Sequence, residues 1–266
     1  MQTKLPPSLK LAMSVGYSFL YLPILTLIVF SFNASRDVTV WQGFSTKWYG
    51  SLLQDDVLIK SVWISLEVAT CAATVAVAFG TLAAVALSRL GRFRGRRFFG
   101  ILTAAPLVMP EVITGLSLLL LFVGLEQTLG WPKGRGVLTI TIAHITLCMA
   151  YVTILVRGRL SDMDRSLEEA ALDLGARPLK VFTAITLPLI FPALISGWLL
   201  AFALSLDDLV IASFVAGPGS STLPMVIFSS IRFGITPQIN ALATLIITGV
   251  AIAVMMAGWL IHRKRY

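Results

Sequence analysis

Six stretches of the chain stay apolar long enough to cross a bilayer, without the alternation of a half-buried strand. They lie near residues 12–32, 62–88, 99–125, 137–156, 185–206 and 238–261. At 1.5 Å per residue, about 20 helical residues cross a hydrocarbon core of roughly 30 Å. Lipid offers no hydrogen-bond partner to an open strand edge, and barrel strands would be short and alternating. The pattern predicts an all-α membrane protein with six transmembrane helices, in a single domain over residues 1–266.

Between the fourth and fifth spans the pattern changes. In the segment 157–187, Leu167, Ala170, Ala171 and Leu174 recur at i, i+3, i+4 and i+7, the stripe of an amphipathic helix. Ser166 to Glu169 has the Ser-x-x-Glu form of a capping box. Gly175 follows where a left-handed residue would close the helix, and Pro178 suits the first turn of a second short helix. The segments 33–58 and 207–237 are longer than simple connectors. The first holds Trp41, Trp48 and Tyr49, rings suited to the membrane interface; the second holds the turn signal Gly217-Pro218-Gly219 and room for a re-entrant or surface-lying piece. Pro106 and Pro110 fall within the third span, Pro188 and Pro192 within the fifth, and each predicts a kink.

Composition agrees. The hydrophobic fraction is 57% and only 13% of residues are charged, whereas soluble domains run near 25% charged. The net charge of +8 would suggest nucleic acid in a soluble protein. Here fifteen of the 21 Lys and Arg fall on one side of the six spans and six on the other. That bias places both termini in the cytoplasm and explains the basic charge without a nucleic-acid partner. The arginine-rich turn from Arg89 to Arg97 becomes a short cytoplasmic loop facing lipid phosphate or a partner. The first apolar run is longer than a signal-peptide core and reads as a retained span. Asn33-Ala34-Ser35 matches a glycosylation sequon by chance.

Candidate chemistry is sparse. Cys71 and Cys148 sit in apolar runs and read as small apolar residues; His144 and His262 read as isolated, so no metal site is predicted. No Gly-Lys pair occurs, so a phosphate cradle of the Gly-x-x-x-x-Gly-Lys type is missing and an enzymatic role is not predicted. Eight carboxylates lie in or beyond the outer half of the membrane, among them Glu67, Glu111, Asp207 and Asp208. An intramembrane carboxylate is costly and usually faces a cavity or partner. On a continuous third span Glu111 lies about 18 Å from its inner end, just beyond the midplane. With Trp63 and Phe228 for cation–π contact, these acids form a candidate pathway for a cationic solute. The competing reading makes Asp207 and Asp208 helix caps or partners of Arg232, and Glu67 a partner of Lys60 or of another chain.

Glu169-Ala170-Ala171, three residues, Gly175, nine residues, Ile185, one residue, Leu187-Pro188 resembles the signature loop of permease subunits in binding-protein-dependent ABC importers. Trp41 to Ser45 with Trp48-Tyr49, Pro106 to Val112, and Ser205 to Asp208 with Gly217 to Gly219 look like the polyamine branch, most like putrescine permeases. One departure is Ile64-Ser65-Leu66, where many related permeases carry Asn-Ser-Leu.

The resemblance implies a coupling helix carrying Glu169, Ala170, Ala171 and Gly175 that sits in a cleft of a cytoplasmic ABC ATPase dimer. It also implies a second permease subunit, an extracytoplasmic polyamine-binding protein and a bacterial inner-membrane location. ATP and magnesium would belong to the ATPase, with no cofactor in this chain. Alternatives remain at this point: a permease for another small solute, or a gradient-driven carrier or channel.

Overall fold

The computed structural model describes residues 6–37, 40–233 and 237–263. The described residues form helices and loops, with one antiparallel bridge between Asn33 and Phe44. In chain order the helices are α1 (Pro7–Phe30), α2 (Lys47–Leu52), α3 (Asp56–Arg89), α4 (Arg96–Val108), α5 (Glu111–Leu129) and α6 (Val137–Asp162). Then come α7 (Ser166–Asp173), α8 (Pro178–Val181), a π-helical turn (Phe182–Thr186), α9 (Leu187–Asp207), α10 (Val210–Val215), α11 (Leu223–Phe233) and α12 (Pro237–Arg263). The chain divides into two compact units, Met1–Ile59 with Ile227–Tyr266, and Lys60–Val226.

In the first unit α12 packs against α1 and α2. Pro7 opens α1, where its missing N–H and fixed φ cost nothing. No residue of α1 is buried, and most of its large apolar side chains are exposed, as lipid demands and water forbids. The following loop is organised by Asn33. Its buried amide accepts from the N–H groups of Ser35 and Gln42 at 3.1 and 3.0 Å and donates to the Val40 carbonyl at 2.7 Å. The indole of Trp48 donates to the Asn33 carbonyl at 2.7 Å, and Tyr49 bonds the Ser31 hydroxyl at 2.7 Å. The sequon asparagine is thus a buried loop staple, closed to modification by a glycan.

In the second unit α3 runs 34 residues, about 50 Å. Its buried face is a run of small residues, including Ala69, Ala72, Ala73, Ala76, Ala83 and Ala84. Small side chains let membrane helices approach closely. At Gly80 the approach is at its limit, since a Cβ there would lie 2.8 Å from the Val152 side chain. Val152, Val156, Leu160, Ile190 and Ala201 complete this half of the core. Ile64, Val68, Phe122, Ile140, Ile211 and Val215 form the other half. Thr139 ties the start of α6 to α10 by donating to the Val215 carbonyl at 2.7 Å. Ser65, next to the point of departure Ile64 in the second span, accepts the N–H of Leu223 at 2.7 Å and so caps the start of α11.

Three expectations need correction. The third span is not one kinked helix: α4 ends at Val108, Met109 and Pro110 are extended with ψ of 137°, and α5 starts afresh at Glu111. A proline here removes an N–H, and the residue before it avoids the helical region. The second short helix expected at Pro178 is not separate. Residues Pro178–Asp207 form one helical rod of 30 residues, through the π-helical turn into α9. Pro188 cannot donate to the carbonyl four residues back and crowds that turn, and the wider π-helical turn just before it relieves the conflict. The capping box at Ser166 also does not form. Arg165 is the N-cap, and the Asp164 carboxylate accepts the Ser166 N–H at 2.9 Å instead.

Candidate functional site

The signature segment lies at the ends of three long helices, α3, α6 and the rod that leads into α9. α7 is eight residues long and none of them is buried. Leu167 is 49% exposed and Leu174 89%, and Glu169 and Ala170 are open, while Ala171 is half-buried. The predicted apolar stripe therefore faces outward. Gly175 closes the helix at φ +83°, a region that side chains with a Cβ resist. The N–H of Ala176 reaches back to the Ala171 carbonyl at 3.0 Å, the long bond of a Schellman closure. That turn redirects the chain into Pro178 and the rod behind it. The bond from Ser166 holds the Asp164 carboxyl below the usual carboxylate range, which favours its charged form at the helix start.

What fixes α7 to the membrane helices is Glu168, a residue not singled out by the motif. Its Oε2 lies 2.7 Å from Nε of Arg89 at the end of α3, and its Oε1 accepts the Thr186 hydroxyl at 2.6 Å. Nη2 of Arg89 donates to the Leu160 carbonyl of α6 at 3.0 Å. Arg165 donates to the Ser88 carbonyl at 2.9 Å. One carboxylate thus joins α7 to α3, to α6 through Arg89, and to the rod through Thr186. A cavity of about 370 Å³ lies beside this junction, lined by Val85, Arg89, Glu168, Glu169, Leu172 and Phe182 among others.

The candidate pathway residues divide. Asp208 is buried and occupied: its Oδ2 lies 3.1 Å from Nε2 of His144 and accepts the Ala212 N–H at 2.8 Å, and its Oδ1 accepts the Ile211 N–H at 3.3 Å. Nδ1 of His144 bonds the Ser205 hydroxyl at 2.7 Å. His144 is therefore not isolated. It joins α6 to the α9–α10 break, where Asp208 caps α10. The capping alternative holds for Asp208, but its partner is His144. Asp207 beside it is exposed.

Glu111 is exposed in the first turn of α5, at the break in the third span. There the N-terminal end of the helix dipole favours a negative charge, which lowers the cost of a carboxylate at this depth. Trp63 and Glu67 lie exposed on α3 and continue through Thr70 to Thr74, positions that share one helix face. Thr74 accepts the Trp198 N–H at 3.1 Å, and Trp198 stacks on Phe202 with ring centres 5.2 Å apart. An exposed polar and aromatic stripe is not a surface that lipid tails favour. The alternative pairing of Glu67 with Lys60 is not found within the chain; Glu67 has no ion pair among the described residues. Phe228, half-exposed on α11, belongs to the first unit. No group of His, Cys, Asp and Glu suited to a metal ion occurs among the described residues.

Comparison with known proteins gives a consistent picture. Residues 76–266 match the family described as binding-protein-dependent transport system inner membrane component. The chain is 61% identical over 249 residues to the putrescine transport system permease protein PotI of Escherichia coli K12, covering 94% of this chain and 89% of that one. It is 41% identical to the spermidine/putrescine transport system permease protein PotC of the same strain, covering 95% and 93%. In fold it resembles a chain of a bacterial ABC transporter that imports the acidic polysaccharide alginate, with a TM-score of 0.73 and 18% identity over 98% of this chain and 99% of that one. It also resembles a chain of the MetNI methionine ABC transporter in an inward-facing form, with a TM-score of 0.63 and 15% identity over 78% of this chain and 95% of that one. Several long apolar helices, the outward-facing α7 and these matches converge: the chain is a multi-pass membrane protein that belongs to the binding-protein-dependent transport system inner membrane components, the permease subunits of ABC importers.

Proposed function

We propose that this chain is one of two permease subunits of an ATP-driven importer for a polyamine, putrescine first. The observation that carries the reading is α7. It presents Leu167, Ala170 and Leu174 to the outside, on the side where the arginines cluster, while Glu168 secures it to the spanning helices. An apolar helix face left open beyond the membrane needs a partner, and the partner proposed is a cytoplasmic ABC ATPase dimer that holds the ATP and magnesium. Both termini then lie in the cytoplasm, and the outer loops face an extracytoplasmic polyamine-binding protein. The names of the relatives support the solute class, and the stripe Trp63-Glu67 with Glu111 and Asp207 supports a cationic solute. A di- or polyammonium ion suits spaced carboxylates and aromatic faces.

The test is uptake of labelled putrescine into vesicles holding this chain, its partner permease, the ATPase and the binding protein. Uptake that needs ATP inside, and that spermidine but not an amino acid inhibits, is the expected result. Uptake driven by an ion gradient without the ATPase would replace this reading with a gradient-driven carrier.

A further inference from the structure

The inner ends of α3, α4 and α6 enclose a second cavity, of about 350 Å³, whose wall carries Arg89, Arg96, Arg157 and Arg165 and no carboxylate. We propose that it binds the phosphate of an anionic inner-leaflet phospholipid.

Three of these guanidiniums are anchored by carbonyls. Arg89 reaches Leu160, Arg96 reaches Leu87 at 2.6 Å and Arg165 reaches Ser88. Cations at helix C-termini are favourable, so capping explains part of the cluster. It does not explain all of it. Arg96 lies in the first turn of α4, where the helix dipole disfavours a cation. Arg157 lies within α6, five residues before its end; its carbonyl accepts the Ser161 hydroxyl at 3.0 Å, and its guanidinium has no hydrogen-bond or ion-pair partner among the described residues. A guanidinium has five N–H donors, so each anchored arginine keeps several for a ligand while its position is fixed. Among the described residues, one ion pair involves these four cations, that of Glu168 with Arg89. A phosphate oxygen is the acceptor that such forks suit best.

The source of the phosphate follows from position. The cavity lies at the ends of the long apolar helices α3 and α6 and the start of α4, which in a bilayer is the level of headgroups. Along α4 the exposed Phe98, Ile101 and Leu102 offer an apolar surface for acyl chains. Arg89 and Arg165 also line the cavity beside α7, so an occupant would share Arg89 with Glu168.

The test is native mass spectrometry of the full chain, purified with its partner subunits, from nanodiscs of phosphatidylglycerol or of phosphatidylcholine alone. The expected result is retention of phosphatidylglycerol by the wild type and a roughly tenfold weaker retention, the loss of one charge-assisted contact, in Arg157→Gln. Arg157→Lys should retain part of it, and Arg94→Gln, outside the cavity, all of it. A thermal unfolding midpoint equal to wild type shows that the Gln variant is folded. Retention by Arg157→Gln and by Arg96→Gln equal to wild type overturns the site. Displacement of the lipid by millimolar inorganic phosphate would overturn the lipid source in favour of a soluble anion. Loss of the lipid whenever the ATPase is bound would assign the cavity to an acidic segment of that partner instead.

Discussion

His144 and Asp208 are 64 residues apart in sequence, yet Nε2 of one lies 3.1 Å from Oδ2 of the other inside the second unit. The carboxylate also accepts two backbone N–H groups at the start of α10. Removing it leaves the buried N–H groups of Ile211 and Ala212, and Nε2 of His144, without their partner. Asp208→Ala should therefore lower stability by about 2–4 kcal/mol, read as a lower unfolding midpoint and poor recovery of the complex. Asp207→Asn, at an exposed carboxylate, should leave the midpoint unchanged and reduce putrescine uptake. Equal midpoints for the two variants would mean that the buried junction is not what holds α9 to α10.

The pair formed by Arg89 and Glu168 makes a different prediction. Both side chains are largely sheltered, at 16% and 13% exposure, so neither is a fully solvated surface charge. Glu168→Gln keeps the Thr186 bond and loses the ion pair, while Arg89→Gln loses the Leu160 bond as well. A double-mutant cycle on stability should give a coupling of about 1–3 kcal/mol. In function, both single variants should retain ATPase docking and hydrolyse ATP with less uptake per ATP. A coupling near zero would reduce the pair to two independent helix-end contacts.

Sequence made the bundle legible because hydropathy is a long-range average. Each of the six apolar runs lies largely within the helix or helix pair observed, and Gly175 was readable because a helix stop is a local event. The break at Met109-Pro110 escaped the same average, since hydropathy records transfer to lipid and not backbone conformation. The depth estimate for Glu111 assumed a continuous helix, and the dipole at its side chain was invisible until the break was seen. Ser166 was misjudged for a local reason: Asp164 is an equally good acceptor two residues earlier, and it took the Ser166 N–H. His144 and Glu168 were missed because their partners, Asp208 and Arg89, are remote in sequence. A lone histidine in an apolar run was the one available signal, since a buried imidazole needs partners.

Gly175→Val tests the turn after α7. Its φ of +83° is strained for any residue with a Cβ, most of all a β-branched one, at roughly 1–2 kcal/mol. No atom lies within 4 Å of the position a Cβ would take, so the strain is in the backbone and not in packing. The chain should insert and fold normally while α7 tilts away from its seat. Pull-down of the ATPase should weaken, or ATP hydrolysis should lose its dependence on the loaded binding protein. Gly175→Asn should restore much of the coupling, since asparagine tolerates the left-handed region better. Full solute-stimulated transport by the Val variant at equal expression would show that this turn does not position α7 for its partner.

The last prediction concerns charge at the break in the third span. Glu111 is exposed and has no ion pair among the described residues. A passing ammonium group would supply one, through a charged hydrogen bond of roughly 1.5–3 kcal/mol. Glu111→Gln keeps the shape and removes the charge, so initial putrescine uptake per assembled complex should fall about tenfold or more on that estimate. Glu111→Asp should keep part of the activity, because the charge persists on a shorter arm. Stability should change little, since the helix start retains its backbone and loses only a dipole interaction of about 0.3–1 kcal/mol. A structural role predicts the reverse pattern, with uptake per complex intact and the yield of complex reduced. Measuring both quantities on the same preparations separates the two, because uptake normalised to complex moves only if the carboxylate meets the solute.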